Sequence, residues 1–259
     1  MNPDGSRPIA LITGATRPGR VGDTTARLFA RLGFDLVLPS RDPAAGTDSS
    51  WRASPFATPT AVSMPQLDLG DLDAVDRLAH ALNRDLPRLD VLVLNASIYE
   101  PTALDAVTPA ALERAMRINA FAPLLLARGL APLLSRGGRG SIVALTDLHA
   151  LGAGGQTAQT RRGFMAYSMS KAALSQMVLA LARELAPSVR VNAVAPGVVA
   201  FPSEGHESDR AMQDRYLARV PLARSGTVEE AAEAIRWLAL DATYCTGVII
   251  RLDGGRGTT

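Results

Sequence analysis

The first 38 residues constrain the fold most, because strand, glycine turn, helix and strand follow one another without interruption. The apolar run at 8–13 predicts a buried parallel strand, and a glycine-rich turn follows at 14–22. A helical stretch from Asp23 to Arg31 and a second apolar strand at 34–38 complete a pattern typical of dinucleotide-binding βαβ units. Glycines in such a turn let backbone N–H groups approach a pyrophosphate at a helix amino terminus. An ordinary βα turn is the alternative interpretation.

The alternation of strands and helices continues to the end of the chain. Further strands are predicted to end at 66–69 and to run over 89–94, 141–147, 189–197 and 247–255, with helices at 72–85, 109–134, 166–186 and 228–240. This pattern predicts an α/β fold, a Rossmann-type doubly wound parallel sheet of about seven strands with helices on both faces. We expect one domain over 1–259, an irregular connection at 42–65, and a mobile substrate lid at 198–219, which is polar and interrupted by Pro and Gly.

Composition argues against several classes of protein. No uninterrupted apolar run approaches 18 residues and the amino terminus is short and polar, so we expect a cytoplasmic protein without a membrane span. Cys245 is the only cysteine and the three histidines are far apart, which predicts no disulfide and no metal site. The 27 basic residues nearly balance 25 acidic ones and are scattered, so nucleic-acid binding is not expected.

Tyr167 and Lys171 are the candidate acid–base pair. Their spacing of four places them on one face of the predicted helix, where a cation lowers the pKa of a phenol towards the working range of a catalyst. Such a spacing also occurs by chance on solvated helices. Lys171, however, is the only lysine in a chain that otherwise uses arginine, which indicates that a compact ammonium group is needed there.

Residues at the predicted strand ends indicate how a cofactor would bind. Ser40 and Arg41 follow the second strand, where a basic residue accommodates the 2′-phosphate of NADP(H), although Asp42 is a competing candidate for the ribose of NAD. Asp68 is placed to contact the adenine amino group. Asn95 follows the strand at 89–94 and faces the ligand crevice, unless it only caps the next turn.

Two further polar residues occupy positions that need partners. Asn119 lies within an apolar helix, and we expect it to bind backbone and water at a local bend suited to a proton relay. Asp147 ends the strand at 141–147. A carboxylate there accepts hydrogen bonds and repels an oxyanion, which suits a substrate rich in N–H donors; in the alternative, it stands in for a hydroxyl.

The ordered set of motifs resembles the short-chain dehydrogenase/reductase family over nearly the whole chain. That resemblance implies hydride transfer with a nicotinamide cofactor, a small-molecule substrate and commonly a homotetramer. The matching residues are Thr13-Gly14-Ala15 with Gly22, Asp68-Leu69, Asn95-Ala96, Asn119, Tyr167 with Lys171, Pro196-Gly197 and Asp253-Gly254-Gly255.

Within that family, three residues resemble the pteridine reductase and dihydromonapterin reductase branch. Asp147 replaces the usual serine, Tyr99 takes the place of an aromatic residue that sandwiches the pterin, and Arg20 resembles an arginine that contacts cofactor phosphate and substrate. The resemblance implies NADPH-dependent reduction of a dihydropterin C=N bond with Tyr167 as proton donor. The alternatives are a carbonyl or 3-oxoacyl reductase on the same fold and, less favoured, a non-catalytic NADP(H)-binding regulator.

The resemblance assigns a role to each candidate residue. Catalysis falls to Asp147, Tyr167, Lys171 and Asn119. Cofactor contacts fall to Gly14, Arg17, Arg20, Val21, Gly22, Ser40, Arg41, Asp68, Leu69, Asn95, Ala96, Ser97, Lys171, Pro196 and Gly197. Substrate contacts fall to Arg20, Ser97, Tyr99, Asp147 and Tyr167. The sequence departs from the family pattern at two places. The glycine turn is about two residues longer than usual, and Arg17 and Arg20 compete there for the phosphate. Extra residues also lie between Asp147 and Tyr167.

Overall fold

Seven parallel strands form a single sheet at the centre of the molecule. This computed structural model describes residues 6–43, 60–150, 163–201 and 208–258. The strands are β1 (Ile9–Ile12), β2 (Asp35–Val37), β3 (Val62–Ser63), β4 (Val91–Leu94), β5 (Gly140–Leu145), β6 (Val189–Pro196) and β7 (Ile249–Leu252). Their order is β3-β2-β1-β4-β5-β6-β7, so the direction of winding reverses between β1 and β4. In such sheets ligands bind at this switch point, beyond the carboxyl ends of the strands.

Helices cover both faces of the sheet, as the sequence predicts. They are α1 (Val21–Arg31), α2 (Leu72–Asp85), α3 (Pro109–Met116), α4 (Ala122–Ser135), α5 (Met165–Glu184), α6 (Arg210–Leu217) and α7 (Val228–Arg236). Apolar residues of α2, α4 and α5 form one buried core, and those of α1 and α7 form the other. The four-residue strands β1 and β4 carry apolar side chains throughout because both of their faces are covered.

The structure differs from the predicted boundaries at several places, among them the helix predicted at 228–240, which becomes a π-helical segment at Trp237–Asp241. The third strand lies at Val62–Ser63, earlier than predicted, and Gln66 makes only an isolated parallel bridge to Ser40. The helix predicted at 109–134 is divided by a π-helical segment, Arg117–Phe121. The segment predicted to form a lid contains a regular helix, α6, which Asp209 caps by accepting a hydrogen bond from the Met212 amide. Most of the predicted connection (44–59), the extra residues before the tyrosine (151–162) and part of the lid (202–207) lie outside the described residues.

One helical segment in the described part of the chain, Pro109–Ser135, is long and apolar enough to cross a membrane by composition alone. It is half buried within the domain, and Leu126, Leu130 and Leu133 are completely buried in the core beneath the sheet. A core helix of an α/β domain meets the same criteria of length and composition. We therefore interpret it as a packing element of the fold.

Candidate active site

The buried ammonium group of Lys171 lies behind Tyr167 on the first turns of α5. The Lys171 side chain is completely enclosed, its Nζ donates a hydrogen bond to the carbonyl oxygen of Leu145 at 2.8 Å, and it lies 5.9 Å from the Tyr167 ring centroid. Burial, opposed by the charge of Asp147, lowers the pKa of Lys171 from 10.5 to about 8. The cation is therefore held close to the phenol at neutral pH.

Asp147 is in direct contact with the candidate acid. It follows Thr146 at the carboxyl end of β5, and its Oδ2 accepts a hydrogen bond from the Tyr167 hydroxyl at 2.7 Å. Its other oxygen accepts one from the backbone N–H of His149 at 2.7 Å, which fixes the orientation of the carboxylate. Phenol and carboxylate thus share a hydrogen bond through which a proton can be held and moved, and the buried cation lies close to the phenol ring.

Asn119 occupies the π-helical segment and links three parts of the site. It is completely buried; its Oδ1 accepts from the Ile98 amide at 2.9 Å, and its Nδ2 donates to the Ile98 carbonyl at 3.0 Å and to Ser170 Oγ at 2.9 Å. Ser170 in turn donates to the carbonyl of Tyr167 at 2.7 Å. A π-bulge often occurs at functional sites because it turns a side chain out of the regular helix. Here it brings the amide to the loop after β4 and to α5.

The glycine turn and the end of β4 are packed tightly together. A Cβ atom on Gly22 would lie 2.4 Å from the carbonyl oxygen of Gly14, and one on Gly14 would lie 2.8 Å from Ala96 Cα. Asn95 Nδ2 donates to the carbonyls of Thr13 and Gly14 at 2.8 and 3.2 Å. Asn95 therefore fixes the turn rather than only capping the segment that follows it.

This turn fits the pyrophosphate of a dinucleotide. The N-cap of α1, Arg20, provides no side-chain cap, so the amino end of the helix remains open to an anion. The lengthened turn is stabilised from within by Asp23, whose carboxylate accepts hydrogen bonds from the Gly19 amide and from Arg27, each at 3.0 Å. Arg17 and Arg20 are both exposed on the turn, so either is accessible to a phosphate.

The remaining candidate residues lie along the same edge of the sheet. Because parallel strands end at one edge, residues that follow β1, β2, β4, β5 and β6 share it. Ser40 is buried, and its hydroxyl donates to the Asp42 carbonyl at 2.9 Å, whereas Arg41 is exposed. Asp68 is exposed and accepts from the Gly70 amide at 2.9 Å. The edge also carries Val21, Leu69, Ala96, Ser97, Pro196 and Gly197.

A cleft of about 170 Å³ opens beside Asp147. Its lining includes Tyr99, His149 and Tyr216, together with the backbone that follows β6. Tyr99 stacks on Phe164 at 4.5 Å and meets the edge of the Tyr167 ring at 4.8 Å, so one of its faces is already covered. His149 and Tyr216 are not among the site residues predicted from the sequence. The position of His149 two residues after Asp147 was an available signal for the former.

The described ranges contain no group of three His, Cys, Asp or Glu side chains that could hold a metal ion.

Comparisons with known proteins agree with this geometry. A family model described as Enoyl-(Acyl carrier protein) reductase matches residues 14–256. The chain is 36% identical over 251 residues to cis-4-hydroxycyclohexanecarboxylate dehydrogenase of Sinomonas cyclohexanicum, covering 95% of each protein. It is 30% identical over 249 residues to a 3-oxoacyl-[acyl-carrier-protein] reductase of Thermotoga maritima, covering 95% of this chain and 96% of that protein.

Solved structures show the same relationship. Acetoin dehydrogenase YohF from Salmonella typhimurium superposes with a TM-score of 0.80 at 27% identity, covering 96% of each chain. A structure described as a short chain dehydrogenase/reductase family protein superposes with a TM-score of 0.79 at 31% identity, covering 97% of this chain and 98% of that one. With matches over nearly its whole length, the chain belongs to the short-chain dehydrogenase/reductase family and is an oxidoreductase that uses a nicotinamide cofactor.

Proposed function

We propose that this protein is an NADP(H)-dependent reductase of ketone carbonyls, with substrates of the 3-oxoacyl type. The observation that carries the proposal is the Tyr167 ring, whose centroid lies 5.9 Å from the ammonium group of the buried Lys171. A phenol beside a buried cation is suited to donate a proton to an oxygen that develops negative charge. The identity to a 3-oxoacyl-[acyl-carrier-protein] reductase over 95% of the chain supports this substrate class.

In the proposed reaction, the bound cofactor supplies the hydride to the carbonyl carbon. Tyr167 donates its proton to the carbonyl oxygen, and Lys171 stabilises the tyrosinate that remains. Asn119 holds the backbone of Tyr167 through Ser170. Both Nδ2 hydrogens of Asn119 are engaged within the protein, so a water of the proposed proton relay would bind the remaining lone pair of its Oδ1.

Reduction of a dihydropterin is the second candidate. Asp147 favours it, because an ionised carboxylate binds N–H donors and competes with a carbonyl substrate for the Tyr167 proton. The Tyr99 ring lines the cleft beside Asp147, where an aromatic side chain could contact a flat ligand. We rank this candidate second because the reductase and dehydrogenases named above point to carbonyl and alcohol substrates.

We further propose that NADP(H) is preferred over NAD(H). The Ser40 hydroxyl donates to the Asp42 carbonyl and also accepts from the Asp42 amide at 3.2 Å, so it shapes the loop after β2. This leaves the exposed guanidinium of Arg41 as the group best suited to bind a 2′-phosphate. The ratio of kcat/KM with NADPH to that with NADH tests this preference directly.

A homotetramer is the proposed assembly, and the cytoplasm the proposed location. Several large apolar side chains are exposed, among them Phe121, Met169, Trp237 and Val248. Exposed patches of this kind often mark interfaces. Light scattering coupled to size exclusion should report four chains, and a monomer in solution would contradict the proposal. Cell fractionation tests the location.

The substrate proposal is tested by NADPH oxidation with three classes of compound. A 3-oxoacyl thioester, a simple ketone and a dihydropterin should be compared under the same conditions. Turnover of the thioester and the ketone supports the first candidate. Turnover of the dihydropterin alone supports the second and overturns the first.

A further inference from the structure

Tyr216 is a second phenol in the cleft, and the proposed mechanism does not use it. It lies near the end of α6 and lines the cleft together with Asp147. Two neighbours fix its ring: Phe201 meets it edge-on at a centroid distance of 6.0 Å, and the guanidinium of Arg256 lies 5.7 Å from its centroid. A ring held from two sides places its hydroxyl at a defined position and loses little further entropy when a ligand binds.

The hydroxyl oxygen of Tyr216 is held at the turn that follows β6. It accepts a hydrogen bond from the backbone N–H of Val198 at 3.2 Å. Gly197 leaves room for it, since a Cβ atom there would lie 3.2 Å from the Tyr216 oxygen. A phenol oxygen that accepts one bond still carries a hydrogen to donate. None of the residues that the structure describes accepts that hydrogen, and we assign it to a ligand in the cleft.

Tyr216 is a neutral donor at physiological pH. Burial raises the pKa of its hydroxyl, although the Val198 amide and the charge of Arg256 oppose that effect. Asp147 lines the same cleft, and its negative charge disfavours an anionic group on the ligand. A neutral donor close to a carboxylate is therefore matched to an uncharged acceptor, such as the carbonyl oxygen of an ester, thioester or amide.

We propose that the Tyr216 hydroxyl donates a hydrogen bond to a second, uncharged carbonyl oxygen of the substrate, distinct from the oxygen that Tyr167 protonates. This inference rests on the proposed carbonyl reductase function and narrows it to ketones that carry an ester, thioester or amide group. Tyr216 then acts as a specificity-determining residue. A bond formed before and during the reaction adds to substrate affinity, so its loss should raise KM more than it lowers kcat.

The test compares two ketones of equal heavy-atom count, ethyl 3-oxobutanoate and 2-octanone, with the wild type and Tyr216→Phe. The substitution removes the hydroxyl but keeps the ring between Phe201 and Arg256. It also deprives the Val198 amide of its acceptor, and any structural effect of that loss applies to both ketones. The ratio of the two kcat/KM values therefore isolates the bond to the second carbonyl.

We expect kcat/KM for ethyl 3-oxobutanoate to fall about tenfold or more, in line with the loss of one buried hydrogen bond. For 2-octanone it should stay within about twofold, because that ketone has no second acceptor. Tyr244→Phe is the matched control, because Tyr244 is fully exposed, and it should leave both values unchanged. The NADPH dissociation constant of Tyr216→Phe, measured by fluorescence, should match that of the wild type.

Equal losses with both ketones, or no loss with the keto ester, would overturn the inference and leave the proposed function standing. If the wild type reduces neither ketone, the proposed function itself fails, and this inference fails with it.

Discussion

Replacing Lys171 with methionine should make the protein more stable at neutral pH while removing its activity. The pKa of Lys171 is lowered from 10.5 to about 8, so holding this buried cation costs about 3 kcal/mol at pH 7. Methionine fills similar space without a charge, but it leaves the Leu145 carbonyl without its donor, which costs about 1–2 kcal/mol. The net expected gain is about 1–2 kcal/mol at pH 7.

The gain must depend on pH in a defined direction. Between pH 8 and 10.5 the unfolded chain still binds the lysine proton, whereas the folded protein has released it. Because the unfolded state then binds more protons, the stability of the wild type rises with pH through this window. The advantage of Lys171→Met should therefore shrink above pH 8 and reverse by pH 10.

Equilibrium urea unfolding, followed by circular dichroism at several pH values, measures both free energies. Both proteins share every other ionisable side chain, so the difference between the two curves reports on Lys171, the only lysine in the chain. A variant that is less stable than the wild type at pH 7, or a difference that does not change with pH, would refute the reasoning. If Lys171→Met is more stable than the wild type and also loses turnover, then Lys171 lowers the stability of the protein at a position that catalysis requires.

Three further substitutions test other parts of the site. Arg41→Ala should raise KM for NADPH about tenfold to a hundredfold and leave KM for NADH unchanged. Arg84→Ala, at an exposed arginine, is the control and should change neither KM. Equal effects on both cofactors would contradict the assignment of Arg41 to the 2′-phosphate. Asp147→Ser should raise ketone turnover about tenfold, because a hydroxyl donor replaces a carboxylate that competes with the ketone for the Tyr167 proton. A fall in ketone turnover would favour the pterin candidate. Asn119→Ala should lower the free energy of unfolding by about 2–3 kcal/mol, since buried partners lose their bonds, and a change below about 0.5 kcal/mol in a urea titration would contradict that role.

The buried strands of this fold could be predicted from the sequence because each is apolar on both faces. β1 and β4 lie within the segments predicted for them, and Asn95 follows β4 as predicted. β5 begins one residue earlier than predicted and ends at Leu145, so Asp147 lies beyond the strand instead of ending it. β3 was misplaced because a strand of two residues at the edge of the sheet carries too few side chains to produce an apolar run.

The contacts within the site are less accessible to sequence reasoning, because they join segments far apart in the chain. A polar residue within an apolar helix indicated that Asn119 needs hydrogen-bond partners. The partners themselves, Ile98 and Ser170, depend on tertiary packing and could not be predicted. Tyr216 was not predicted because the segment 198–219 is polar and interrupted by Pro and Gly, and no helix was expected there. Asp209, a residue type that commonly caps helices, was the available signal for α6.

The central claim is tested most directly with a 3-oxobutanoyl thioester of N-acetylcysteamine and NADPH, using the wild type and Tyr167→Phe. The account predicts NADPH-dependent formation of the 3-hydroxy thioester by the wild type. Tyr167→Phe should lose at least about a hundredfold in kcat, in line with the loss of a general acid, while its NADPH dissociation constant changes little. Full turnover by Tyr167→Phe, or NADPH binding by the wild type without any turnover of the thioester, would contradict the account.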